Sequence, residues 1–124
     1  MLFRSVYRIL IGLRSLGDEI LPSGYFHDPA WDVILDLIAA EKRGRPLSLT
    51  SVGAVGRGAA SQSTLQRRVL QLADQGILDI DLDPRDRRRR LVRLSRKGHN
   101  MVDELLLRFG ALLTRQSASD RSPR

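Results

Sequence analysis

Two clusters of side chains in this 124-residue chain could do chemistry, and neither is catalytic in type. The first is Gln62, Ser63, Thr64, Gln66, Arg67 and Arg68, within the stretch ASQSTLQRRVLQLADQG. Amides, hydroxyls and guanidinium groups are the groups that read base edges: glutamine bonds adenine through two atoms, and arginine bonds guanine through two. The second is DLDPRDRRRRLVRLSRKG, residues 81–98, which carries Arg85, Arg87, Arg88, Arg89 and Arg90. Guanidinium groups fork onto phosphate oxygens, so a dense array of them suits a polyanion. No Ser-His-Asp, metal-ligand or paired-carboxylate spacing occurs, and acid–base work needs such positioned groups. Cysteine is absent, which removes disulfides, thiolate catalysis and most structural zinc sites. His27 and His99 are the only histidines, and neither stands at ligand spacing from a second candidate. The expectation is a binding protein and not an enzyme, with no metal and no cofactor.

Charge is distributed regionally. The chain carries +7 overall, but residues 1–41 sum to −3, residues 42–56 to +3 and residues 57–97 to +6. A basic region beside an acidic one points to a polyanion-binding face and away from general solubilisation. An apolar content of 42% with 28% charged residues is that of a folded domain, and the length suits one domain. The opening MLFRSVYRILIGLRSL is interrupted by arginine and lacks a small-residue cleavage site, unlike a secretory signal. With no run of 18 apolar residues either, the expectation is a cytoplasmic protein.

The elements that must hold these clusters follow from periodicity. Leu2, Val6, Ile9, Leu13, Leu16 and Ile20 recur at helical spacing ahead of Pro22 and Gly24. DPAWDVILDLIAAEKRG predicts a second helix, capped by Asp28, with Trp31, Ile34, Leu35, Ile38 and Ala39 facing inward. TSVGAVGRG predicts a short, glycine-weakened helix capped by Thr50; its glycines do not match a phosphate-cradling fingerprint. Across a small-residue turn, a firm helix is capped near Ser61 and stopped at Gly76. On its wheel Leu65, Val69 and Leu72 fall together, while Ser63, Gln66, Arg67 and Asp74 fall opposite, and so does Leu70. ILDIDL alternates, as do Leu91 to Leu94, and DPRDRRR lies between the two runs: a β-hairpin with Asp83-Pro84 in its turn. A last helix runs from Ser95 to about Gln116, with a broad apolar face of Met101, Val102, Leu105, Leu106, Phe109, Leu112 and Leu113. No internal repeat is visible.

Helix, turn, helix and two-stranded hairpin make a winged helix. Residues 47–98 resemble the DNA-binding core of the MarR family of bacterial transcriptional regulators. Ser63, Thr64, Arg67, Leu72, Gly76 and Ile77 match that family's recognition helix and the start of its strand. Asp83, Pro84, Asp86, Arg88, Val92, Leu94, Ser95 and Gly98 match its wing, Asp-Pro-x-Asp-x-Arg followed by an apolar strand. Arg68 departs from the pattern, standing where the family keeps an apolar residue, and GRGAAS is longer than the usual turn.

The resemblance implies a mainly α fold with a small β-hairpin wing: a winged helix-turn-helix with N- and C-terminal dimerisation helices. The expected divisions are residues 1–27 (dimerisation), 28–97 (DNA binding), 98–116 (dimerisation) and 117–124 (a disordered tail). It implies a homodimer on double-stranded DNA, with half-sites about one helical turn apart, roughly 34–36 Å. Gln62, Ser63, Gln66 and Arg67 are then candidates for base edges, with Thr64 beside them; Arg68, Arg87, Arg89 and Arg90 are candidates for phosphates. Arg85 would reach a minor groove from the wing tip, and Asp86 would brace the wing against Arg88. A small aromatic effector is also implied, for which Tyr25, Phe26, His27 and Trp31 form the candidate pocket. The alternative is a winged helix that binds a protein, or RNA by shape, for which the misplaced Leu70 speaks.

Overall fold

The computed structural model describes residues 2–22, 24, 29–52 and 61–121. Its chain divides into two compact units, residues 27–99 and residues 1–26 together with 100–124. No helix among the described residues is long and apolar enough to cross a membrane.

In the unit of residues 27–99, α2 (Pro29–Lys42) leads to a two-residue strand β1 (Leu47–Ser48) and a 3-10 turn (Leu49–Ser51). Then come α3 (Gln62–Asp74), β2 (Leu78–Asp83), β3 (Asp86–Leu94) and the first turn of α4 (Arg96–Arg121). The three strands form an antiparallel sheet in the order β1-β3-β2, with Leu47 opposite Val92 and Ile80 opposite Val92 from the other side. The expected hairpin is therefore the larger part of a three-stranded sheet. A two-residue strand is too short to show a period of two, which is why PLSL does not announce β1.

The buried face of α2 is Ala30, Val33, Ile34, Leu37 and Ala40, not the expected Trp31, Ile34, Leu35, Ile38 and Ala39. Only Ile34 is common to both. This helix is apolar on nearly every side, so the wheel admits two stripes about one residue apart, and packing selects between them. These side chains meet Leu65, Val69 and Leu72 of α3 and Val92 and Leu94 of β3 in one core.

The 3-10 turn, in which Thr50 lies, is capped by Ser48, its hydroxyl accepting the Ser51 N–H at 3.2 Å while the Ser51 hydroxyl accepts the Ser48 N–H at 3.2 Å. The pair satisfies two amide donors that the turn itself cannot. The glycine-rich helix expected after it falls mostly on residues 53–60, which lie outside the described residues.

In the other unit, α1 (Leu2–Ile20) and α4 carry the expected apolar stripes, and Val102 and Leu105 are buried while Leu13, Leu16, Phe109 and Leu112 are half-buried. Arg108 of α4 reaches Glu19 of α1 at 2.8 Å, and the Glu19 carboxylate holds the guanidinium above its ordinary pKa. α4 continues to Arg121, past the expected end at 116, where a disordered tail was expected to begin. No residue of 116–121 breaks a helix, and the first proline beyond it is Pro123.

Candidate nucleic-acid interface

The recognition-type helix α3 is fixed at both ends. Ser61 caps it, its hydroxyl accepting the Thr64 N–H at 3.2 Å. Gly76 ends it with φ of 79°, a left-handed turn that favours glycine, and the Ile77 N–H closes back on the Leu72 carbonyl at 2.9 Å. Leu65, Val69 and Leu72 are buried, so the opposite face is held outward.

That outward face sorts the six expected helix residues. Ser63 and Arg67 are exposed and Gln66 is half-exposed, and none of the three side chains has a hydrogen-bond or ion-pair partner among the described residues. The other three are engaged with the protein. Gln62 donates its amide N–H to the Thr50 carbonyl, which ties the start of α3 to the 3-10 turn. The Thr64 hydroxyl lies 3.0 Å from that of Ser61, within the cap. Arg68 donates to the Gln71 side chain at 3.2 Å on an exposed part of the helix.

Beyond Gly76 the chain is pinned to the start of α4. The buried Ser95 hydroxyl sits 2.9 Å from the Ile77 carbonyl and 2.5 Å from that of Gly76, and accepts the Gly98 N–H at 3.0 Å. The Ser95 N–H also reaches Ile77 O at 2.9 Å, and the Lys97 ammonium donates to the Gln75 carbonyl at 3.0 Å. A side chain at 98 would collide with the Ile77 carbonyl, so only glycine allows this approach. Every carbonyl from Gln75 to Ile77 thus finds a donor in the segment that follows β3. The Ser95-x-x-Gly98 spacing carried this signal in the sequence, but not its geometry.

The wing is tighter than expected. Only Pro84 and Arg85 form its turn, and Arg87 to Arg90 lie on β3, not in a loop. A register shift between Leu82 and Asp83 breaks the alternation of β2, leaving Leu82 exposed and turning Asp83 inward. The Asp83 carboxylate accepts the Arg85 N–H at 2.9 Å and stands 3.9 Å from the Arg89 guanidinium. It is buried, whereas the expected brace, Asp86, is exposed and holds the Arg88 N–H at 3.1 Å and its guanidinium at 3.4 Å. The wing therefore has two aspartate braces. Arg93 pairs with Asp81 on the neighbouring strand at 2.8 Å. Arg85, Arg87 and Arg90 have no carboxylate partner among the described residues, so their charge is left for solvent or an anion. A cleft of about 380 Å³ between the 3-10 turn and the wing is lined by Leu49, Thr50, Asp86, Arg88, Arg89 and Arg90. Leu49 and Thr50 are not among the expected site residues, because neither is charged.

Of the candidate effector pocket, Tyr25, Phe26 and His27 lie outside the described residues, and Trp31 is half-buried on α2. Trp31 does not line the apolar cleft of about 270 Å³ that Leu37, Ala40, Pro46, Leu47 and Val92 form beside the sheet.

The sequence matches no protein-family model, and no curated protein is similar to it at a significant level. Solved structures do match. The chain is similar to the PcaV transcriptional regulator of Streptomyces coelicolor, solved with its natural ligand, at 28% identity and a TM-score of 0.53. That likeness covers 84% of this chain and 66% of PcaV, so this chain spans just under two-thirds of its length. A MarR-family transcriptional regulator from Rhodococcus sp. RHA1 matches over 92% of this chain and 74% of its own, at 20% identity and a TM-score of 0.57. A mutant of MarR from E. coli matches over 98% and 85%, at 15% identity and a TM-score of 0.64. This is the MarR-type winged-helix fold. In MarR-type terms α3 is the recognition helix and β2–β3 the wing.

Proposed function

We propose that the chain is a sequence-specific DNA-binding transcriptional regulator that works as a homodimer on a pseudopalindromic site. One observation carries the reading: among the described residues α3 holds Ser63, Gln66 and Arg67 outward with no side-chain partner, in the same unit as a hairpin with three arginines that have no carboxylate partner there. Base edges need donors and acceptors on a rigid element, and phosphates need cations on an accessible one. Ser63, Gln66 and Arg67 then read bases in a major groove. Gln62 and Thr64 position the helix, and Arg68 is left as a phosphate contact. On the wing, Arg85 reaches into a minor groove and Arg87, Arg89 and Arg90 engage phosphates, while Arg88 is held by Asp86.

The dimer is supported by the unit of residues 1–26 and 100–124. Tyr7, Leu10 and Ile11 of α1 and Leu106, Leu107 and Leu113 of α4 are exposed, and large apolar side chains grouped on a surface suit a protein partner such as a second copy. On a pseudopalindrome the two copies would present their α3 helices to half-sites about one DNA turn apart, roughly 34–36 Å. A small aromatic effector belongs to the proposal on the family resemblance of the sequence, and that some ligand binds is supported by the likeness to PcaV, whose structure holds its natural ligand.

Selection of binding sites from random duplex DNA with the purified protein tests the reading. The expected result is an enriched pseudopalindrome. Salt-sensitive binding with no enriched motif contradicts it, and preference for a protein or a structured RNA over duplex DNA favours the interaction-module alternative.

A further inference from the structure

One side chain on the outer face of α3 is apolar. Leu70 is 55% exposed, whereas Leu65, Val69 and Leu72 of the same helix are 3%, 0% and 0% exposed. Its place on the helix is what gives it meaning. Seven residues make nearly two turns, so Leu70 lies almost directly along the axis from Ser63, with Gln66 and Arg67 between them on either side. Leu70 thus stands in the middle of the stripe proposed above to face DNA.

An apolar group that loses its water inside a groove needs an apolar partner, because pressing it on polar groups leaves those groups unpaired. The major groove presents one apolar group that stands out from the base edge, the C5 methyl of thymine; apart from the flat C5–H of cytosine, the other groups on the base edges there are donors or acceptors. A protein partner is the less fitting occupant. Leu70 stands among Gln66, Arg67 and Asp74 on its face of α3, whereas a protein-binding hot spot is a cluster of large anchors, mostly aromatic or arginine, in which leucine is under-represented.

We infer that Leu70 is a specificity-determining residue that reads thymine through its methyl group, one base in each half-site. The inference rests on the DNA-reading function proposed above, and it adds to the polar contacts of Ser63, Gln66 and Arg67 a base preference that none of them supplies.

The test uses the selected duplex with each thymine replaced in turn by deoxyuridine, which removes the methyl and keeps every hydrogen-bonding group. For the wild-type protein, replacing one thymine in a half-site lowers affinity about fourfold, the worth of one buried methyl-sized group. For Leu70→Ala that duplex and its thymine parent bind alike. Alanine is a better helix former than leucine and the site is exposed, so the variant is expected to melt with the wild type. A wild-type protein indifferent to every deoxyuridine overturns the assignment, as does a Leu70→Ala variant that keeps the full thymine preference. A selection that enriches no site overturns the regulator reading together with it; an enriched site read without methyl sensitivity overturns the leucine assignment alone.

Discussion

The recognition helix and the wing present guanidinium groups in opposite mechanical settings. α3 buries three large side chains, is capped by Ser61, and runs into a segment, Gln75 to Ile77, whose carbonyls are held by Ser95 and Lys97. Its outward residues therefore stand at fixed positions. The wing is a two-stranded projection whose tip is braced, among the described residues, by Asp83 and Asp86, and its residues from Pro84 to Arg90 are all exposed. Reading a base requires a donor placed to within a fraction of an ångström, whereas attracting phosphates requires only charge within a Debye length. On the proposed function, specificity would belong to the element with the core behind it, and affinity to the element with the charge on it. That division is part of the proposed function, and it can be broken from either side.

The largest effect is expected from stripping the wing. Replacing Arg85, Arg87 and Arg90 together by alanine should weaken every duplex alike, by on the order of a hundredfold at 0.1 M salt. The slope of log K against log salt should shrink by about 0.9 for each phosphate that is no longer neutralised. Fluorescence anisotropy across a salt series measures both.

Next comes the support behind the helix. Gly98→Ala drives a methyl group into the Ile77 carbonyl and should cost roughly 1–3 kcal/mol of stability by urea denaturation, before any DNA is added. If Gly98→Ala leaves stability unchanged, the clamp is not what fixes the end of α3. A smaller loss is expected from Asp83→Ala. The Arg85 N–H loses its acceptor and the wing tip its inward anchor, for about 1 kcal/mol of stability, with a modest loss of affinity for all sequences. Asp86→Ala, at an exposed brace, should cost less than that in the same measurement.

The contrast can also be sharpened within α3 itself, where the Gln62 effect is the smallest on overall affinity. Gln62 is committed to the Thr50 carbonyl and Gln66 is not, although the two are alike in sequence. Gln62→Ala should weaken selected and scrambled duplexes by the same few-fold factor. Gln66→Ala should change the base preference at one position per half-site, by about 1–3 kcal/mol if its amide bonds adenine. Repeating the site selection with each variant separates the two glutamines.

Much of this arrangement was legible in the residues. The period of Leu65, Val69 and Leu72, with Ser61 before it and Gly76 after it, locates α3 because caps and core face agree. The alternation on both sides of Asp83-Pro84 locates the hairpin. What escaped was set by tertiary contacts. The inward face of α2 escaped because an apolar helix offers two stripes and its neighbours choose one. β1 escaped because two residues carry no period. Asp83 reads as a turn residue, and nothing local says that a register shift will bury it in place of Leu82. Gln62 and Gln66 are indistinguishable until the 3-10 turn places Thr50 beside one of them. The long-range partner of a polar side chain is the part of a site that local pattern does not encode.

The division of labour is tested most directly by one ratio, the affinity for the selected duplex over that for a scrambled duplex of equal length. It is measured at one salt concentration for the wild type, for Arg67→Ala and for the triple wing variant. Arg67→Ala should lower the ratio by the worth of one two-atom base contact, about 1–3 kcal/mol, while the scrambled duplex binds nearly as before. The wing variant should lose affinity for both duplexes and keep the ratio. A ratio that survives in Arg67→Ala and collapses in the wing variant would contradict the division, placing the reading of sequence on the wing and not on α3.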